Sequence, residues 1–301
     1  MKRILLSAVA ILAPCASVYA ADPALGAMRP AYDTNWESQE ANPLRFETGL
    51  RYWYAVGEQS IENNGVKNSA KDYSHILEGH FRIDDDFTST FVKGQAGYAF
   101  YTSGDYEPAV GGNTTFEGGQ IGYVGSDFGW TPFGNEQFRF GALVGYQYNR
   151  ESPDRNRLDV EHIDGLSLHS LRLGVTARAN VNEFFDIDAE VVATPYAFAY
   201  GATAEIPSAT QVVQGVPVNR TNAEATAALY GASGQVMLGF HPTENLTLRF
   251  GGRASILTGQ SSVRVKQWNS ATPNSYLYSD TAAGDLTLVR YGALAEVTGR
   301  F

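Results

Sequence analysis

The sequence predicts an all-β chain, a single up-and-down antiparallel transmembrane barrel of about ten strands. Three observations predict it. The first is the stretch Leu286 to Phe301, LTLVRYGALAEVTGRF. Phe301, Gly299, Val297, Ala295, Ala293, Tyr291 and Val289 form one row, apolar or small throughout. Arg300, Thr298, Glu296, Leu294, Gly292 and Arg290 form the other, mostly polar. Period two means a strand with unlike faces. Arginines and a glutamate on the polar face and an aromatic at the end fit a barrel strand with lipid on one side and lumen on the other. The second observation is the start of the chain, and the third is an alternation of short and long connections.

Lys2 and Arg3 precede a short apolar run, Ile4 to Ala13, and Val18 and Ala20 are small residues ahead of a cut. Residues 1–20 therefore read as a cleaved signal peptide. No other run reaches the ~18 apolar residues of a membrane helix. Cys15 is the single cysteine and lies inside the signal. Pro14 ahead of it is a poor residue for a lipoprotein cut. The mature chain thus offers no disulfide and no thiolate chemistry. The net charge of -10, with no basic blocks, argues against nucleic acid as a partner. Neither a cofactor nor a metal is expected.

Residues 21–43 carry Pro23, Pro30 and Pro43 without a period and read as a periplasmic tail; the barrel takes residues 44–301. Leu44 to Val56 alternates, with Phe46, Leu50, Tyr52 and Tyr54 opposing Arg45, Glu47, Arg51 and Trp53. Gly57 to Asp72 reads as a loop, and Tyr73 to Ile83 as the second strand. Asp84-Asp85-Asp86 makes a turn, which as a Ca²⁺ site would be weak. Thr88 to Tyr101 is the third strand and Thr102 to Asn113 a loop. Thr114 to Gly125 is Gly-rich, with Ile121 and Tyr123 expected outward. Ser126 to Glu136 reads as a moderate turn. Gln137 to Asn149, Leu166 to Val181 and Phe184 to Tyr200 alternate clearly, with Pro195 a bulge or strand end. Between them lie the charged loop Arg150 to Gly165 and the turn Asn182-Glu183. The polar loop Gly201 to Glu224 precedes strands over Ala225 to Phe240 and Leu246 to Leu257. Thr258 to Asp285 is the longest loop, before the final strand. Shorter connections after even strands and long ones after odd strands match the periplasmic and extracellular ends of bacterial barrels. The compartment read from this is the bacterial outer membrane.

A ten-strand interior is only slightly wider than one that side chains fill. The lumen row holds Arg45, Glu47, Glu78, His80, Arg82, Lys93, Arg139, Arg178, Asp188, Glu190, Arg249, Glu296 and Arg300. Unpaired charges there would be costly, so they are expected to pair into a polar plug. The other reading of the same residues is an ion pathway, anion-leaning because basic residues outnumber acidic ones. Trp53, Tyr98, Tyr101, Tyr146, Tyr148 and Tyr291 read as interface girdle residues.

With these strands in view, the layout resembles the omptin-like outer-membrane barrels, and more closely a bacterial branch without assigned activity. The resemblance rests on FRFGALVGYQYNRES at Phe138 to Ser152, LHSLRLGVTARANVNEFFDIDAEVVATPYAF at Leu168 to Phe198 and RYWYAVGE at Arg51 to Glu58. It implies a surface endopeptidase with a carboxylate pair on one wall of the rim and an Asp-His pair on the facing wall, together activating a water. Asp105 and Glu107 match the carboxylate pair. No histidine lies between His169 and His241, where the Asp-His pair belongs. His162, with Asp164 on the charged loop, is the remaining rim candidate. His75 and His80 have opposite parities and cannot share a face. GYVGSDFG is followed by neither lysine nor helix and is no phosphate loop.

The expected function is a structural or surface-binding barrel that is not an open porin. The alternatives are an omptin-like surface endopeptidase and a small anion-leaning pore. Expected partners are outer-membrane lipid and lipopolysaccharide, plus the barrel-assembly machinery through the last strand and Phe301. The chain is expected to be monomeric.

Overall fold

The computed structural model describes residues 44–301 apart from 64, 110–111, 136, 155–164, 203–205, 214–215 and 270–275. The expected signal peptide and tail, and His162 with Asp164, lie outside the described residues. Eleven strands follow one another: β1 (Leu44–Asn63), β2 (Val66–Asp85), β3 (Thr90–Glu107), β4 (Thr114–Gly134), β5 (Phe138–Asp154), β6 (Leu166–Asn180), β7 (Phe185–Ala202), β8 (Ile206–Val213), β9 (Val216–Thr243), β10 (Leu246–Asn269) and β11 (Tyr276–Arg300). Ten of them close into an antiparallel barrel. β11 pairs with β1 from Arg300↔Glu47 to Asp285↔Glu62, and β10 pairs with both β9 and β11. The seam is finished by Phe301 and Phe46, which exchange backbone hydrogen bonds of 2.9 and 3.1 Å. β8 stands outside the ring as a hairpin on the far end of β9.

Closure leaves no barrel edge, so every spanning backbone group can be paired without water. The exterior is apolar. Leu50, Val175 and Phe250 are about 60% exposed, a pattern that suits lipid contact and not a water-facing surface. Aromatic rings gather at both rims. Trp130, Phe133, Phe138 and Phe140 touch one another near the short turns. Near the other rim, Tyr52 Oη lies 2.6 Å from His75 Nδ1 and Tyr146 Oη 2.5 Å from His169 Nδ1. Tyr98, Tyr101, Tyr146 and Tyr291 face outward as expected of a girdle, whereas Trp53 is buried inside.

Asparagine and aspartate side chains make the short turns. Asp85 accepts hydrogen bonds from the Phe87 and Thr88 amides and the Thr88 hydroxyl. Asn135 accepts the Gln137 and Phe138 amides, and Asn182 those of Phe184 and Phe185, at the entry to the following strands.

Three expectations are corrected. Gly57 to Asp72, Gly201 to Glu224 and Thr258 to Asp285 are largely strand, because paired backbone continues beyond the membrane where no apolar alternation marks it. Ser126 to Gly134 likewise belongs to β4. Ile121 and Tyr123 point inward, with exposures of 1% and 8%. Phe116 is also buried, five positions earlier, so the alternation slips once between them, where Gly118 has φ 74°. That backbone region is open to glycine at little cost.

Two bulges matter for orientation. Pro195 lies where the β7–β9 register shifts between Thr194 and Ala197. On β3, Phe100 is the extra residue opposite the step His75/Ile76. Phe100 and Tyr101 therefore both face outward, and every residue beyond them changes sides.

Candidate functional site

The inward rows of the ten strands meet in the lumen, and their charges form three clusters, the first two joined through Arg249 and Glu296. Nearest the short turns, Glu47 faces Arg178 at 3.3 Å, Arg300 at 3.2 Å and Arg249 at 3.7 Å. Asp186 receives Arg249 at 3.0 Å, Arg300 at 3.1 Å and His241 at 3.0 Å. Arg178 also reaches Asp188 at 3.3 Å, and Arg82 forms a forked pair with Asp84. Lys93 contacts Glu190 and Asp127, and Arg172 joins the same two carboxylates and donates to Gln147.

The second cluster centres on Glu78, which has no solvent exposure. It accepts from Arg51 at 2.5 Å, Arg253 at 2.9 Å and the Tyr123 hydroxyl. Arg51 also donates to Glu296, which binds Arg249 at 3.0 Å and the Thr298 hydroxyl at 2.7 Å. These ties span the barrel wall to wall. In the third cluster, toward the long-strand end, Arg290 holds Asp72 at 2.9 Å and Glu151 at 2.7 Å. Glycines make room for the carboxylates. A Cβ at Gly239 would lie 2.0 Å from Asp186 Oδ1, and one at Gly145 1.8 Å from Asp127 Oδ1.

Apolar layers alternate with the charges. Trp53, Ile76, Ile121, Met237 and Leu294 pack beside the Glu78 cluster. Leu166, Leu168, Leu229 and Leu286 pack with four alanines of β7 and β9 toward the far end. The space left over is a cavity of about 170 Å³, lined by residues from all three clusters.

Most of the sequence-predicted lumen residues meet inside. Glu47, Glu78, His80, Arg82, Lys93, Arg178, Asp188, Glu190, Arg249, Glu296 and Arg300 line this cavity or pair with residues that do. Arg45 and Arg139 instead share Asp86 Oδ1 at the rim, at 2.8 and 2.5 Å. Alternation alone missed Tyr123, on the wrong face, and Asp72, Glu151 and Asp127, in stretches read as loop or turn. Arg51, Arg172, Arg253 and Arg290 sit on the same rows as the named residues and were legible by parity. Counting Asp84 and Asp186 as well, and leaving out the rim residues Arg45 and Arg139, the three clusters hold nine Lys and Arg against ten Asp and Glu among the described residues, so the basic excess of the named rows disappears.

The bulge at Phe100 puts Asp105 and Glu107 in register with the outer face, since the intervening Thr102 and Tyr106 are buried. Glu107 pairs there with Lys71 at 2.9 Å, which raises the Lys71 pKa. Among the described residues, no group of three or more His, Cys, Asp or Glu side chains is placed to hold a metal ion.

No family model and no curated protein sequence matches the chain. Its fold does have solved counterparts. The outer membrane protease OmpT of Escherichia coli superposes with a TM-score of 0.54 at 12% identity, covering 86% of this chain and 96% of that one. The translocator domain of the autotransporter NalP from Neisseria meningitidis gives a TM-score of 0.32 at 11% identity, over 89% and 92% of the two chains. The likeness to OmpT is one of fold. Joined to the ten-strand closure and the apolar exterior with its aromatic rims, it makes the chain a β-barrel of the outer-membrane type.

Proposed function

We propose that this barrel is a closed scaffold, its lumen plugged to ions, that presents a tall sheet at the cell surface. The observation that carries the reading is the wiring of the interior. Glu78, Asp186 and Glu296 are almost fully buried, and each is held by two or more cationic or hydroxyl groups. A mobile ion would have to break pairs whose partners are already desolvated, and removing one member of such a pair is strongly unfavourable. The surface role is supported by strand length. Spanning takes about 9–11 residues, whereas β9, β10 and β11 have 28, 24 and 25. Their far ends, with β8, project as a sheet beyond the β1–β2 hairpin, and projecting segments on a rigid scaffold are where binding concentrates. The outward register of Asp105 and Glu107 weighs against a lumen-facing carboxylate pair of the omptin kind.

Planar-bilayer recording tests the closed lumen. Wild-type protein should show no conductance, or only small, rare openings. Glu78→Gln and Arg178→Gln should increase such openings by unpairing their partners. Stable currents of general-porin size from the wild type would defeat the reading.

A further inference from the structure

We propose that the lumen, though closed to ions, is a passage for water and for small neutral hydroxyl compounds; this rests on the closed-scaffold reading. The ion-paired clusters leave a cavity whose lining runs from Glu47 beside the short turns to Pro153 near the long-strand end. Four side chains on its wall carry a buried polar atom with no hydrogen-bond partner among the described residues: Trp53 Nε1, Ser170 Oγ, Arg290 Nε and His80 Nδ1. Trp53 and Ser170 are only 3% and 4% exposed. An unsatisfied buried donor or acceptor costs roughly 1–3 kcal/mol, so this wall favours an occupant that hydrogen-bonds to it.

The chemistry selects a neutral occupant. Arg290 already serves two carboxylates, so the cluster around it is locally negative and rejects anions. A cation would have to displace an arginine tethered to the wall or shed its own water. Water or glycerol only exchanges one hydrogen bond for another. A cavity needs at least about 10–15 Å³ to hold one water, and each water takes about 30 Å³ in the liquid, so a cavity of about 170 Å³ takes roughly half a dozen.

The test uses the purified full-length barrel in lipid vesicles. Shrinkage after a sucrose shock is followed by stopped-flow light scattering, beside vesicles without protein. Water efflux should be several-fold faster than in the protein-free vesicles, glycerol should re-enter, and bilayer conductance should stay at baseline. Ser170→Leu, which fills the wall, should return efflux to the protein-free rate while keeping the heat-modifiable gel shift of a folded barrel. Hydroxyl-radical footprinting supplies a readout independent of any variant, because Trp53 should be labelled despite its burial. Efflux at the protein-free rate, with an unlabelled Trp53 in a folded barrel, would overturn the passage and leave the closed scaffold standing. Porin-size conductance would overturn both.

Discussion

At the scale of single residues, Glu78 shows how the lumen holds together. It has no exposure and three donors, on β1, β4 and β10. Glu78→Ala would leave Arg51 and Arg253 buried without their shared carboxylate, and breaking a buried pair in this way costs about 3–5 kcal/mol. The variant should therefore lose its folded gel band at a markedly lower temperature than wild type. Tyr123→Phe removes one hydrogen bond to a charged group, roughly 1.5–3 kcal/mol, and should fall between the two. An unchanged transition for Glu78→Ala would mean that the cluster contributes nothing to stability. Glu78 was legible in the sequence because Leu77 and Phe81 flank it on the opposite parity. Tyr123 was not, because the slip near Gly118 is invisible to a rule that counts in twos. Asp72 and Glu151 escaped for another reason: outside the membrane both faces of a strand are wet, and the apolar marker of alternation is missing.

At the scale of elements, bulges and turns decide what faces where. Deleting Phe100 would remove the bulge and restore unbroken alternation in β3, with Tyr101, Asp105 and Glu107 still outward and Thr102 and Tyr106 still inward, because Ala99 and Tyr101 already pair with Ile76 and His75. A cysteine at position 105 should accordingly react with a membrane-impermeant maleimide in the parent barrel and in the deletion variant alike, and protection in the deletion variant would mean that β3 had slipped its register. The β2–β3 turn carries a pH signature. The Thr88 hydroxyl and the Phe87 and Thr88 amides favour the ionised Asp85 carboxylate and lower its pKa. Its support is then present above the ordinary aspartate range and is lost as the pH falls through the lowered folded value. Urea midpoints of wild type and Asp85→Ala should differ at neutral pH and converge in strong acid. A gap that widened on acidification would contradict the sign. The short turns were readable from their Asn and Asp residues, whereas the strand extensions were not.

At the scale of the whole molecule, the barrel and the projecting sheet should be separable. Replacing residues 262–283 with an Asn-Gly turn would join β10 to β11 just above the pair Ser261↔Gly284. The shortened chain should still fold in detergent with a heat-modifiable shift, since the three lumen clusters draw on residues outside this stretch; failure to fold would tie the sheet to the barrel's stability. The wiring of the lumen has a further consequence, in time. Arg178 meets Glu47 across 131 positions of sequence, Arg253 meets Glu78 across 175, and Arg290 meets Asp72 across 218. Such ties can form only after distant walls of the barrel have come together, so they add little to the rate of insertion. Interactions absent from the transition state act instead on escape from the native state. The protein should therefore unfold far more slowly than its insertion rate suggests, with unfolding and refolding titrations tracing separate curves over ordinary waiting times.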